Sequence, residues 1–254
     1  MTDMIEISPH LIETLKRAGN VVASTGAGTS AESGIATFRQ AQTGLWSRFR
    51  PEDLATPEAF ERNPKRVWEW YQWRREQLQD AQPNPGHHAL ARMAALLRGF
   101  TLITQNVDGL HQRAGSKNVI EVHGSVVRNI CHRTRREVEL SSLADDAGSP
   151  PRSPHHPEGL VRPAVVWFGE PLPGAALEAA IQASSRCEVF LSIGTSSLVQ
   201  PAASLADLAR KAGSLLVEIN PESTPLSPYA DIVLQGKSGE ILPRILELLE
   251  QPSD

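Results

Sequence analysis

Short apolar runs that end in polar or glycine tails recur along this chain, with helical segments between them. "NVVAST" leads directly into "GAGTSAESG". "FTLITQN", "VIEVHGS", "CEVFLSIGTS", "SLLVEIN" and "ADIVLQG" follow the same plan. "GAALEAAIQASSR", "AASLADLARKAG" and "SGEILPRILELLEQ" separate several of them and read as helices. Strands alternating with helices predict an α/β fold on a doubly wound parallel sheet. Ligands of such sheets sit beyond the carboxyl ends of the strands, so the polar tails are where chemistry is expected.

The rest of the chain is consistent with that plan. Residues 8–18 form an amphipathic helix pattern with Leu11, Ile12 and Leu15 on one face. "TPEAFERNPKRVWEWYQWRREQLQDAQ" is helical and broken at Pro64, and a further helix starts at the Asn84 cap with Pro85 in its first turn. Residues 139–163, rich in Pro, Ser, Asp and Gly, read as an excursion from the sheet. The 254 residues suffice for one large domain or one and a half. With 40% apolar and 21% charged residues the chain is globular, and a net charge of −4 argues against a uniformly basic nucleic-acid-binding surface. Two cysteines cannot build a disulfide framework. No run of about 18 apolar residues is present, so no membrane partner is expected and the cytoplasm is the expected location.

Three tails carry candidate chemistry. In "STGAGTSAESGIATFR", Gly26 and Gly28 permit a tight turn and a close backbone approach, and N–H groups at the helix start can hold a diphosphate. A plain strand–helix turn would use the same glycines. A dehydrogenase would present an acidic residue about 20 positions later, at the end of a second strand. Here "TFRQAQTGLWSRFRPEDLATPEAF" reads as loop and helix, which disfavours an oxidoreductase. "TQNVDGLHQRAG" sets Gln105, Asn106 and Asp108 at a strand end, and "EVHGS" sets His123 at the next. Histidine titrates near neutrality and can take a proton from a sugar hydroxyl, although a lone histidine is more often structural.

"GAGTSAESGIATFR", "TQNVDGLHQRAG", "EVHGS", "RPAVVWFGE", "GTSSLVQPAA" and "EINPE" occur in this order, and together they resemble the sirtuins, the NAD-dependent protein deacylases. The resemblance spans about residues 10 to 248. It implies a Rossmann-like NAD-binding domain from residues 1–38, 91–127 and 163–254. Residues 39–90 and 128–162 would form a smaller inserted domain resembling a zinc module that lacks its cysteines. It implies NAD as co-substrate and acylated-lysine proteins or peptides as partners. Gly26, Ala27 and Gly28 would bind the diphosphate, and Phe38 and Arg39 would shield the nicotinamide ribose. Gln105, Asn106 and Asp108 would line the nicotinamide pocket. Gly194, Thr195 and Ser196 form the second phosphate- and ribose-facing turn of the resemblance. Asn220, Pro221 and Glu222 would meet the adenosine ribose, and Ser238 the adenine.

His123 would be the general base and Asn106 its partner in catalysis. The acyl-lysine oxygen would displace nicotinamide, and the products would be lysine, nicotinamide and O-acyl-ADP-ribose. "VVWFGE" resembles the strand beside which the substrate peptide lies, with Val166, Trp167 and Phe168 in the acyl-lysine tunnel. Thr29 and Ala36 depart from the isoleucine and proline usual at their places, and losing the proline loosens the loop.

Tyr71-x-x-Arg74 matches the pair of class III sirtuins, which prefer malonyl or succinyl lysine. Residues three apart share a helix face, and an arginine fork with a tyrosine hydroxyl can bind a carboxylate. An acetyl substrate is compatible with the same tunnel. Sirtuins hold zinc with two Cys-x-x-Cys pairs, but here the first is Cys131 and Thr134 and the second falls on Pro154 and Pro157. His132, His155 and His156 are nearby, but adjacent histidines chelate one ion poorly, so a small module without zinc is expected. NAD hydrolysis or mono-ADP-ribosylation could use the same pocket. A non-catalytic NAD-binding module is disfavoured by the intact Asn106, Asp108 and His123.

Overall fold

The computed structural model describes residues 6–35, 50–143 and 148–252. The chain opens with α1 (Pro9–Arg17), β1 (Val21–Thr25) and the short α2 (Ala27–Ala31). Helices α3 (Pro57–Arg62), α4 (Pro64–Asp80) and α5 (Pro85–Leu96) come next. Each starts with proline at its first turn behind a capping side chain. Thr56 accepts from the Ala59 N–H, Asn63 from that of Arg66, and Asn84 from those of Gly86 and His87. The prolines lack only an N–H that the first turn leaves unpaired anyway.

The second part runs β2 (Phe100–Thr104), α6 (Leu110–Arg113), β3 (Ile120–Glu121), β4 (Gly124–Cys131) and β5 (Val161–Val165). It ends with α7 (Gly174–Ser184), β6 (Val189–Ile193), α8 (Ser204–Lys211), β7 (Leu215–Asn220), β8 (Ile232–Gln235) and α9 (Ser238–Glu250). Six strands make one parallel sheet in the order β3-β2-β1-β6-β7-β8. Alternate residues feed opposite layers, as the strand period of two requires. Val21, Ala23, Leu191, Val217 and Ile219 join one core with residues of α1, α5 and α9. Val22, Phe190 and Leu216 join another with residues of α7 and α8. Helices on both faces make the sheet doubly wound, as expected. No helix of the described residues is long and apolar enough to cross a membrane.

Two expected strands differ. "VIEVHGS" is not one strand: β3 stops at Glu121 and β4 restarts at Gly124 in an antiparallel pair with β5. Gly124 has φ +74°, and a Cβ there would lie 2.0 Å from the Ala164 carbonyl oxygen, so the chain can leave the large sheet only through glycine. "VVWFGE" is mostly a turn. β5 ends at Val165, Gly169 has φ +86°, and the Glu170 N–H bonds the Trp167 carbonyl at 3.0 Å. A third core joins α3 and α4 to this pair through Phe60, Trp70, Tyr71, Val126, Val165 and Trp167.

Candidate active site

Two backbone turns meet where the strand order reverses, between β1 and β6. The Gly26 N–H donates to the Ile193 carbonyl at 3.0 Å, and the Gly28 N–H to the Gly194 carbonyl at 2.7 Å. A Cβ on Gly26 or Gly28 would lie 2.8 Å from the Gly194 oxygen. Gly194 has φ +59°, and its own Cβ would lie 2.4 Å from the Thr29 nitrogen. Glycine is thus demanded by contact at all three positions, and Ala27 between them opens α2. The residues present fit a dinucleotide: a side-chain-free cradle at the switch point of a doubly wound sheet is where such ligands lie.

Beside the cradle a cavity of about 320 Å³ is lined by Gly194, Thr195, Ser196, Asn220, Pro221 and Glu222, so all six expected residues meet. Gln105 Nε2 donates to Thr195 Oγ1 at 3.3 Å and Asn220 Nδ2 to the Thr195 carbonyl at 3.1 Å, tying three strand ends together. Below it, the buried Glu218 carboxylate accepts hydrogen bonds from the Thr224 and Ser227 hydroxyls and holds the loop after β7. Ser238 is not in this lining, and its hydroxyl donates to Glu32 Oε2 at 3.2 Å. Phe38 and Arg39 lie outside the described residues.

Asn106 and Asp108 are nearly buried behind the cradle. Asn106 Nδ2 donates to the Gly26 carbonyl at 3.0 Å and to Ser30 Oγ at 3.1 Å. Ser30 donates to Asp108 Oδ2 at 2.8 Å, and the Leu110 N–H donates to Oδ1 at 2.9 Å. Burial raises the Asp108 carboxyl above its ordinary value, with these two bonds opposing. His87 and His111 stand behind Ser30 and Thr25 with ring centroids 4.8 Å apart.

His123 projects from the break between β3 and β4. Its Nδ1 lies 3.1 Å from the Gln105 carbonyl. A carbonyl only accepts, so Nδ1 carries the proton and Nε2 keeps its lone pair. Burial lowers the imidazole below 6.5, with the Gln105 carbonyl opposing, so the neutral, proton-accepting form prevails at pH 7. The His123 carbonyl accepts from the Val166 N–H at 2.9 Å, joining the histidine to the "VVWFGE" segment. Phe168 is 53% exposed, and its N–H bonds the Ala55 carbonyl at 3.0 Å.

Tyr71 and Trp167 are buried, and the indole Nε1–H donates to the Tyr71 hydroxyl at 2.9 Å. Arg74 lies on the same side of α4, its guanidinium 5.1 Å from the Trp70 ring centroid. Burial lowers its pKa, while Tyr71 and then Asp108 favour the charged form. Trp167 is fixed from two more sides: the Arg162 guanidinium lies 3.3 Å over its ring, and its N–H donates to Glu170 Oε2 at 2.9 Å. Glu170 bridges Arg162 in two contacts of 2.7 and 3.0 Å and meets Arg135 at 2.7 Å.

The donors of the small module do not fit a tetrahedral zinc. Cys131 is buried, and Gly159 packs against it so closely that a Cβ there would lie 2.8 Å from the sulfur. Burial raises the thiol pKa, but the hydroxyls of Ser153 and Thr134 and the N–H groups of Thr134 and Arg133 outweigh it and leave the pKa below its ordinary value. Ser153 rather than Pro154 therefore faces the sulfur. His132 Nδ1 accepts from the Leu160 N–H at 2.8 Å, His155 Nε2 lies 2.7 Å from the Glu137 carbonyl, and His156 Nδ1 accepts from the Glu158 N–H at 3.1 Å. Among the described residues no three His, Cys, Asp or Glu side chains converge on a common point.

Sequence reasoning passed over Ser30, His87, Arg162, Glu170 and Glu218. His87 is readable in retrospect as the third residue of the helix that Asn84 caps. The buried charges carry no local signal, because their partners come from other elements.

A profile of the Sir2 family matches residues 26–201. NAD-dependent protein deacylase 2 of Pyrobaculum aerophilum is 48% identical over 240 residues, covering 94% of each chain. A crystal structure of a Sir2 homologue–NAD complex superposes with a TM-score of 0.87 at 45% identity, covering 96% of this chain and 94% of that one. A Sir2–p53 peptide–NAD+ structure superposes with a TM-score of 0.82 at 31% identity, covering 95% and 98%. Together with the glycine cradle and the histidine break, these likenesses establish that the chain belongs to the Sir2 family.

Proposed function

We infer that this Sir2-family chain is an NAD-dependent protein deacylase that prefers lysines bearing acidic acyl groups, malonyl and succinyl. The observation that carries the preference is the pair Tyr71 and Arg74, one turn apart on α4, with Tyr71 and Asp108 both favouring the charged form of Arg74. A carboxylate brought to this pair would be dehydrated, where a guanidinium fork and a phenol bind it strongly.

NAD supplies a ribose whose bond to nicotinamide is exchanged for the acyl oxygen. Gly26, Ala27 and Gly28 would form the backbone wall along which the diphosphate lies, with the Gly26 and Gly28 N–H groups already bound to Ile193 and Gly194. Thr195, Ser196, Asn220 and Glu222 orient the adenosine ribose, and Asn106 and Asp108 bound the nicotinamide side. His123 Nε2 takes the proton of a ribose hydroxyl, and the Gln105 carbonyl keeps that nitrogen unprotonated. The acylated peptide would pass Val166–Phe168, where the exposed Phe168 ring offers an apolar contact. Residues 1–38, 91–127 and 163–254 make up the dinucleotide domain of this reading, and 39–90 with 128–162 the smaller domain.

The test incubates acetyl-, malonyl- and succinyl-lysine peptides with and without NAD and reads products by mass spectrometry. NAD-dependent O-acyl-ADP-ribose is expected, with the acidic acyl groups turned over fastest. Arg74→Met should lower the succinyl-to-acetyl ratio of kcat/KM by roughly ten- to hundredfold, the loss of a charge-assisted bond. Turnover of none of the peptides would refute the deacylase reading, and an unchanged ratio would refute the acyl preference.

A further inference from the structure

We propose that Trp167 is a specificity-determining residue: its indole N–H fixes the hydrogen-bond polarity of Tyr71, so that the phenol presents its proton to the acyl group. The proposal rests on the acyl reading above and assigns the origin of its selectivity.

An indole N–H donates and never accepts. At 2.9 Å from the Tyr71 oxygen it therefore occupies a phenol lone pair. This is the one hydrogen bond of the Tyr71 side chain among the described residues, so the phenolic proton is directed away from Trp167. Tyr71 is buried, so a carboxylate that displaces its neighbours to reach the hydroxyl would meet that proton with little water left to compete. A carboxylate accepts it strongly, whereas an acetyl group, ending in a methyl, offers nothing at that place.

Trp167 is held in the orientation this requires. Its backbone N–H is bound by Glu170, the Arg162 cation lies 3.3 Å over its ring, and Phe60 packs with ring centroids 5.3 Å apart. A cation on the indole face draws electron density from the ring and sharpens the N–H as a donor. A donor on the phenol oxygen in turn strengthens the bond the phenol gives, because bonds in a chain polarise one another. Arg135, Glu170, Arg162, Trp167 and Tyr71 thus form a continuous path from the small module to the acyl group.

The test measures kcat/KM on succinyl-, malonyl- and acetyl-lysine peptides at saturating NAD. The variants are Trp167→Phe, Tyr71→Phe, their double variant and Arg74→Met. A further chain carries 3-benzothienylalanine at position 167, which keeps the shape and removes the N–H should Trp167→Phe fail to fold. Trp167→Phe and the benzothienyl chain should lower the succinyl-to-acetyl ratio by roughly three- to tenfold. The double variant should have the ratio of Tyr71→Phe alone. A ratio unchanged by removing the N–H, or effects of positions 71 and 167 that multiply, would overturn the proposal. If Arg74→Met collapses the ratio while the position-167 variants leave it alone, only this proposal falls. If Arg74→Met also leaves it alone, the acyl reading falls and the proposal with it.

Discussion

Acidification from pH 7.5 to pH 5 should destabilise this protein by about 4 kcal/mol through two buried histidines alone. His87 and His111 are inaccessible to solvent. His87 Nδ1 accepts the Asn84 N–H at 3.3 Å, completing the cap of α5, and its Nε2 faces Ser30. A proton on Nδ1 would set donor against donor and break that cap. His111 Nε2 bonds Thr25, whose own hydroxyl donates to Thr104, and Nδ1 has no partner among the described residues. Burial lowers His87 to about 4 and His111 to about 3, against 6.5 in the unfolded chain. The folded pKa values are depressed, so the stability these groups contribute is full above pH 6.5 and is lost as pH falls toward 4 and 3. Each contributes about 1.4 kcal/mol per pH unit within that window, hence about 2 kcal/mol at pH 5. Urea unfolding followed by tryptophan fluorescence at pH 7.5 and 5.0 measures the loss. His87→Gln and His111→Gln should each reduce the acid loss by about 2 kcal/mol, whatever they do at pH 7.5. Variants that lose as much stability between the two pH values as the wild type would refute the reasoning.

Three further outcomes are expected. His123→Ala should lower kcat by roughly 10²- to 10⁴-fold with NAD binding retained, and the acid limb of the wild-type kcat/KM profile should fall below pH 6.5; an acid limb above 7 would contradict the lowered imidazole. Glu218→Gln should raise KM for NAD several-fold with little change in kcat, since the carboxylate orders the loop that lines the adenosine side; equal loss in kcat would contradict a positioning role. Chelation of tag-free protein should leave Tm and activity unchanged, and near-stoichiometric zinc by metal analysis would overturn the account of the small module.

The sheet was readable because its signals are local. Each strand of "NVVAST", "FTLITQN", "FLSIGTS", "LLVEIN" and "DIVLQG" carries its apolar run and its tail together, and the caps Thr56, Asn63 and Asn84 stand directly before their prolines. The break at His123 was less readable, because the demand for glycine at 124 comes from the Ala164 carbonyl of a distant strand. "VVWFGE" looked like a strand for the same reason in reverse. Its apolar residues are those of a strand, but Glu170 is bound by Arg162 and curls the segment into a turn. The neighbours of Cys131 were not readable either: the ligand position expected at Pro154 is passed over, and Ser153, one residue before it, faces the sulfur.

By itself the sequence determined the alternation of strand and helix and the glycine turns, while Asn106, Asp108 and His123 were singled out by the resemblance of their motifs to a family. The first two depend on periodicity and on backbone freedom, which neighbouring residues express. Only the tertiary structure decided which atom of His123 bears the proton, what surrounds the sulfur of Cys131, and that Tyr71 takes its hydrogen bond from a tryptophan 96 residues away. Hydrogen-bond polarity inside a dry core is set by whichever partner packing delivers, and packing joins elements whose spacing in the chain carries no record of the contact.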